Sequence, residues 1–87
     1  MQENKGRANR EVVQKLINDM NDFSEFVKNE LLVIVDQTER LSESWNDPQY
    51  DQFSSFIREL TSSLNKDLLV FDESSLSLQK KLDMYDW

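Results

Sequence analysis

The 87-residue sequence predicts an all-α fold: an antiparallel two-helix hairpin (helix-turn-helix) that pairs into a four-helix bundle dimer. Three observations carry that prediction. One glycine, Gly6, and one proline, Pro48, leave residues 8–44 and 49–87 free of both, and breaker-free stretches of that length favour long helices over strands and turns. Apolar residues recur at intervals of seven in each stretch, the period of a helical seam. Between the stretches stands Asp47-Pro48, a helix-start signal placed where the chain has to reverse.

The elements follow in order. Residues 1–9 are polar, with bases at Lys5 and Arg7 and a third at Arg10, and read as a flexible tail rather than a binding arm. Residues 10–87 form a single hairpin domain, with helix one expected over about 10–44. Its seam runs through Val13, Met20, Val27, Ile34 and Leu41, with Leu16 and Phe23 on the intermediate stripe early and Leu31 and Trp45 on an adjacent stripe later.

The turn is expected at about 45–47. Asp47 can accept from free amides of the next helix, Pro48 needs no donor at the first helical position, and Asp51 complements the helix dipole. Helix two, about 48–84, has its seam at Tyr50, Ile57, Leu64, Phe71, Leu78 and Tyr85, flanked first by Phe53 and Leu60 and then by Leu68 and Leu82. In both helices the secondary stripe is expected to step over by one position, because Glu30, Gln37, Asp67 and Ser74 occupy intermediate places.

The apolar runs "LLVIV" (31–35) and "LLVF" (68–71) are the strand alternatives, but each lies inside a continuous heptad pattern flanked by acids. With the turn centred near Asn46, antiparallel neighbours have residue numbers that sum to about 92. Ile34 then faces Ile57, Leu31 lies near Leu60, Val27 near Leu64, Met20 near Phe71 and Val13 near Leu78, apolar against apolar at every level.

One seam cannot hide all of this apolar surface. The run at 31–35 points in five directions around a helix, and Phe26, Phe56 and Leu76 also lie off the seam. The expected remedy is a second hairpin, a homodimer or a related helical hairpin or effector helix, docked on Leu31, Ile34, Ile57, Leu64, Leu68 and Phe71.

Composition narrows the function. Seventeen acids against ten bases give a net charge of −7, which disfavours phosphate backbones and anionic lipid surfaces, so neither nucleic-acid binding nor membrane insertion is expected. The longest apolar run falls far short of the ~18 residues of a membrane span. Without cysteine or histidine, the usual zinc sites, thiol nucleophiles and Ser-His relays are excluded. Carboxylates spaced by three, such as Asp36 with Glu39 or Asp83 with Asp86, read as solvated faces. No enzyme, catalytic residue, metal site or cofactor is therefore expected.

A short, acidic, cysteine-free hairpin whose turn reads "SWNDPQYDQF" resembles the WXG-motif superfamily, the small early-secreted-antigen-like proteins associated with type VII secretion. The likeness covers about residues 13–85. Trp45 matches the family tryptophan, while Asp47 stands where the family has glycine. The family's export element, a tyrosine followed four positions later by an acid, is not matched, since Tyr85 precedes only Asp86 and Trp87.

The resemblance implies a bundle of two hairpins acting as a type VII secretion-type substrate, a co-exported partner or an effector-targeting adaptor. The competing expectation is a cytosolic coiled-coil scaffold, chaperone or regulatory subunit unrelated to secretion. Localisation is accordingly expected to be cytoplasmic, or secreted without a cleavable signal peptide. Trp45 has two readings at the tip, a plug closing the bundle end or an anchor for a partner. The terminal "DMYDW" either docks or frays.

Overall fold

The structure, a computed structural model, describes the backbone of residues 2–84 and the side chains of 9–84. It consists of two helices, α1 (Gln2–Leu41) and α2 (Pro48–Met84), joined by a six-residue tip at 42–47. Both strand alternatives lie within helices. The expected tail and helix bounds need correction, because α1 begins at Gln2 rather than near residue 10. A single Gly6 costs a helix about 1 kcal/mol relative to alanine, too little to stop one flanked by Gln, Glu, Lys, Arg and Ala. At its other end α1 stops at Leu41, three residues short of the expected 44.

The helices run antiparallel. Gln14 lies opposite Gln79, Phe23 opposite Phe71 and Thr38 opposite Tyr50, close to the expected register. The molecule is a rod of 65 × 16 × 16 Å with a radius of gyration of 19.6 Å, where a compact chain of this length would have about 12 Å. Its accessible surface is 7145 Å², against about 5,400 Å² for a compact protein of the same mass.

The seam differs from the expected one in an informative way. Along α1 the buried row is Ile17, Ser24, Leu31 and Thr38, and along α2 it is Ser54, Leu68, Ser75 and Leu82 with half-buried Thr61 between them. Each row keeps a strict interval of seven, so the expected one-position step does not occur. The second inner row, Val13, Met20, Val27 and Leu41 on α1 with Tyr50, Ile57, Leu64, Phe71 and Leu78 on α2, is buried or half-buried as the heptads predict. Ile34 belongs to that row by number but is exposed, with Val35 turned inward in its place.

The expected intermediate residues Leu16, Phe23, Phe53 and Leu60 are exposed, and their inward places are taken by Ile17, Ser24, Ser54 and Thr61. The physical reason is that most of these hydroxyl residues find partners inside the hairpin, Ser24 being the exception among the described residues. Thr38 and Thr61 donate to the Ile34 and Ile57 carbonyls one turn back, at 2.8 and 2.7 Å. Ser75 donates to Asn21 Oδ1 at 2.7 Å, and Ser54 accepts from Arg58 at 3.0 Å. Small satisfied side chains can therefore share the seam with leucine and isoleucine.

Among the described residues five apolar side chains are buried: Ile17, Leu31, Ile57, Leu68 and Leu82. Leu82→Ala, at a site 1% exposed, is expected to cost about 2–4 kcal/mol, whereas Leu16→Ala stays within about 0.5 kcal/mol. Denaturant unfolding followed by circular dichroism reads the difference; equal losses would contradict the buried row described here.

Candidate docking face and hairpin tip

The tip is built by helix-end chemistry. As α1 ends, the amides of Ser42, Glu43 and Ser44 bond to carbonyls three residues back, and the Ser42 hydroxyl donates to the Glu39 carbonyl at 2.6 Å. These bonds satisfy the carbonyls that a helix end leaves free. Asp47 then caps α2, its Oδ1 accepting from the Gln49 and Tyr50 amides at 2.8 and 3.1 Å, with Pro48 at the first helical position. Among the described residues no backbone has positive φ, so the chain reverses without the left-handed residue that glycine would supply.

The other carboxylate oxygen of Asp47 holds Trp45, accepting from the indole Nε1–H at 2.6 Å. Trp45 is half-buried, with its ring 5.9 Å from Tyr50 in an edge-on contact and 6.5 Å from Phe53. Tyr50 in turn donates its hydroxyl to the Thr38 carbonyl at 2.9 Å, tying the first turn of α2 to the end of α1. The Trp45 hydrogen bond first, and the Tyr50 and Gln49 amides after it, hold the Asp47 carboxyl below the usual aspartate range.

The two long edges of the hairpin differ. With heptad position a assigned to Ile17, Ser24, Leu31 and Thr38 and to Ser54, Thr61, Leu68, Ser75 and Leu82, the e positions of the two helices meet along one edge. That edge is polar and crosslinked. Gln14 and Gln79 exchange amide hydrogen bonds at 2.9 and 3.1 Å, Asn21 meets Ser75, and Lys28 pairs with Asp72 at 2.5 Å. Lys28, then the neighbouring Ser24 hydroxyl, holds the Asp72 carboxyl below its ordinary range, although Ser24 itself makes no hydrogen bond of good geometry.

The opposite edge, made by the c and g positions, carries no such crosslinks among the described residues and is largely apolar, with Asp19, Glu30, Gln37, Arg40, Asp67, Ser74 and Lys81 among its other residues. It presents Val12, Leu16, Phe23, Phe26 and Val33 from α1, and Phe53, Phe56, Leu60 and Val70 from α2, with Ile34 beside them, all exposed. Their exposed area is on the order of 900 Å², more than the ~300–600 Å² patch of an ordinary monomer and similar to the ~800 Å² each partner brings to a standard interface. Leu32, Leu69 and Leu76 are exposed away from this face.

Of the six expected interface residues, Leu31, Ile57 and Leu68 are buried and Leu64 and Phe71 half-buried within the hairpin's own seam; Ile34 alone is exposed at the apolar edge. The antiparallel register sets Leu31, Ile34, Ile57, Leu64 and Phe71 opposite apolar residues of the other helix, so the sequence offers the same residues for both the seam and the partner. A second heptad pattern, 12-16-23-26-33 on α1 and 53-56-60-70 on α2, was the signal for the outer face. Tyr85, Asp86 and Trp87, including the last expected seam residue and the end of "DMYDW", lie outside the described residues.

Among the described residues no helix is long and apolar enough to cross a membrane, and no group of three or more acids is placed to hold a metal ion. The groove lined by Val35, Arg58, Thr61, Asn65, Lys66 and Leu69 is shallow and open to solvent. Comparison with protein-family models, with curated proteins and with solved structures finds no match to this chain.

Both lowered carboxyls make stability depend on acid. A depressed folded value contributes stability above the unfolded value, lost as pH falls through the folded one. In a Trp87→Phe background, acidification below about pH 4 is expected to lower the thermal midpoint and red-shift Trp45 emission together. Asp47→Ala is expected to reproduce the emission shift at neutral pH. Unchanged emission in that variant would remove the carboxylate–indole bond from the account.

Proposed function

We propose that this chain is a non-enzymatic interaction module, a helical hairpin that docks on a helical partner through its apolar edge. The observation that carries this reading is the one-sidedness of the surface. The polar edge is closed by Gln14–Gln79, Asn21–Ser75 and Lys28–Asp72, while the other edge exposes ten large apolar side chains, Phe23, Phe26, Phe53 and Phe56 among them. Covering them with helices completes a four-helix bundle, the arrangement in which every helix buries an apolar stripe.

Within that reading the chain serves as a WXG-like substrate, co-exported partner or targeting adaptor of type VII secretion. The short cysteine-free hairpin with Trp45 at its tip supports this version. Asp47 in the glycine position, occupied as a helix cap and indole acceptor, favours the second version, a cytosolic scaffold or chaperone subunit that uses the same face without export.

Phe26→Asp with Phe56→Asp, at side chains 63% and 58% exposed, is expected to leave helicity and thermal midpoint nearly unchanged while reducing recovery of a co-purifying helical partner at least tenfold. Equal recovery by the wild-type and substituted chains would refute the face. Fractionation of cells with an active type VII apparatus separates the two versions, because accumulation solely in the cytosol is incompatible with export.

A further inference from the structure

We infer that the occupant of the apolar edge is a basic amphipathic helix of a different protein, not a second copy of this chain, and that Glu30 and Asp67 select it. The inference rests on the docking face proposed above and deepens it. The charges within that face decide the matter. Asp19 is neutralised by Lys15 at 2.8 Å, and Arg40 is paired with Asp36 at 3.0 Å. Glu30 and Asp67 have neither an ion pair nor a side-chain hydrogen bond among the described residues.

Both stand in the middle of the apolar surface. Glu30 is one turn from Phe26, Val33 and Ile34 and two turns from Phe23; Asp67 is two turns from Leu60 and one from Val70. In the register marked by Phe23 and Phe71, the two carboxylates lie within about one helical turn of each other along the rod, one on each helix. A partner that covers the phenylalanines must also cover them. A covered carboxylate without a counter-charge is strongly disfavoured.

A second copy cannot supply the counter-charge. A two-fold axis along the rod lays α1 of one copy over α2 of the other at the same level, so Glu30 meets the second copy's Asp67 and the contact is repeated by symmetry. A two-fold axis across the rod that covers the whole face passes through its middle, where Asp67 sits, and sets Asp67 against its own copy. Among the described residues the unpaired base of the face is Lys81, which lies beyond Val70 toward the open end. Either symmetric pairing brings acid to acid, in a chain whose net charge is already −7. A different helix whose apolar stripe is interrupted by lysine or arginine meets both carboxylates at once and shields the phenylalanines.

The charge-reversed form of this same chain, Glu30→Lys with Asp67→Lys, serves as the probe, since it offers the same apolar face with bases at its centre. Sedimentation equilibrium is run on each chain alone, on their equimolar mixture, and on Glu30→Gln with Asp67→Asn alone; circular dichroism checks that each is folded. The wild-type chain is expected at 10.4 kDa across the micromolar range. The mixture should form a 1:1 complex with Kd at least tenfold below that of either chain with itself, weakening as salt rises. The neutralised chain should self-associate at least tenfold more tightly than wild type.

Wild-type self-association as tight as the mixture would overturn the inference while leaving the docking face standing, with a second copy as its occupant. Absence of association in every combination, the neutralised chain included, would overturn both. Weakening of the mixture by Phe26→Asp ties the complex to this face; no weakening places the association elsewhere and also overturns the inference.

Discussion

Ser24, Thr38, Ser54 and Ser75 are buried in the seam at positions where a coiled coil would ordinarily carry leucine or valine, and the rest of the molecule follows from their being there. Four hydroxyl residues in the inner rows leave Ile17, Leu31, Ile57, Leu68 and Leu82 as the buried apolar set. The larger side chains next to them in sequence, Leu16, Phe23 and Phe53, are turned outward by the same helical geometry. A one-residue change of direction is about 100° on a helix, enough to move a phenylalanine from core to surface. Thin packing inside and a broad apolar edge outside are thus two results of one choice of row.

Most of the polar residues inside are satisfied within the hairpin, by acceptors one turn back, by the facing helix or, for Ser54, by Arg58, while Ser24 is left without a partner of good geometry. Thr38 and Thr61 use the first route, and Ser75 with Asn21 uses the second. The crosslinked edge extends this pattern outward through Gln14–Gln79 and Lys28–Asp72. The ion pair is half exposed and contributes little stability by itself, but with the amide pair it specifies which edges of the helices meet. Among the described residues the apolar edge has no equivalent device, and its large side chains are exposed.

At the tip, a single carboxylate performs two functions. Asp47 accepts two amides of α2 through one oxygen and the Trp45 indole through the other, so the side chain that restarts the helix also holds the last apolar residue of the connection. Trp45 is folded back onto Tyr50 and Phe53 rather than extended from the tip. The aromatic cluster it makes is continuous with the apolar edge through Phe53.

The helical class, the second helix with its Asp47-Pro48 start, the antiparallel register and one inner row were legible in the sequence. Glycine and proline placement, heptad recurrence and capping chemistry act over a few residues, and each leaves a local signature. The first row to be buried, the end of α1 at Leu41 and the identity of the outer face were decided by tertiary structure. A heptad pattern records which residues share a helix face but not which of two apolar faces meets the other helix. That choice was settled by hydrogen-bond partners contributed across the hairpin, Asn21 to Ser75 and Thr38 to Tyr50, together with the room each side chain takes between closely packed helices. Those quantities exist only when both helices are in place.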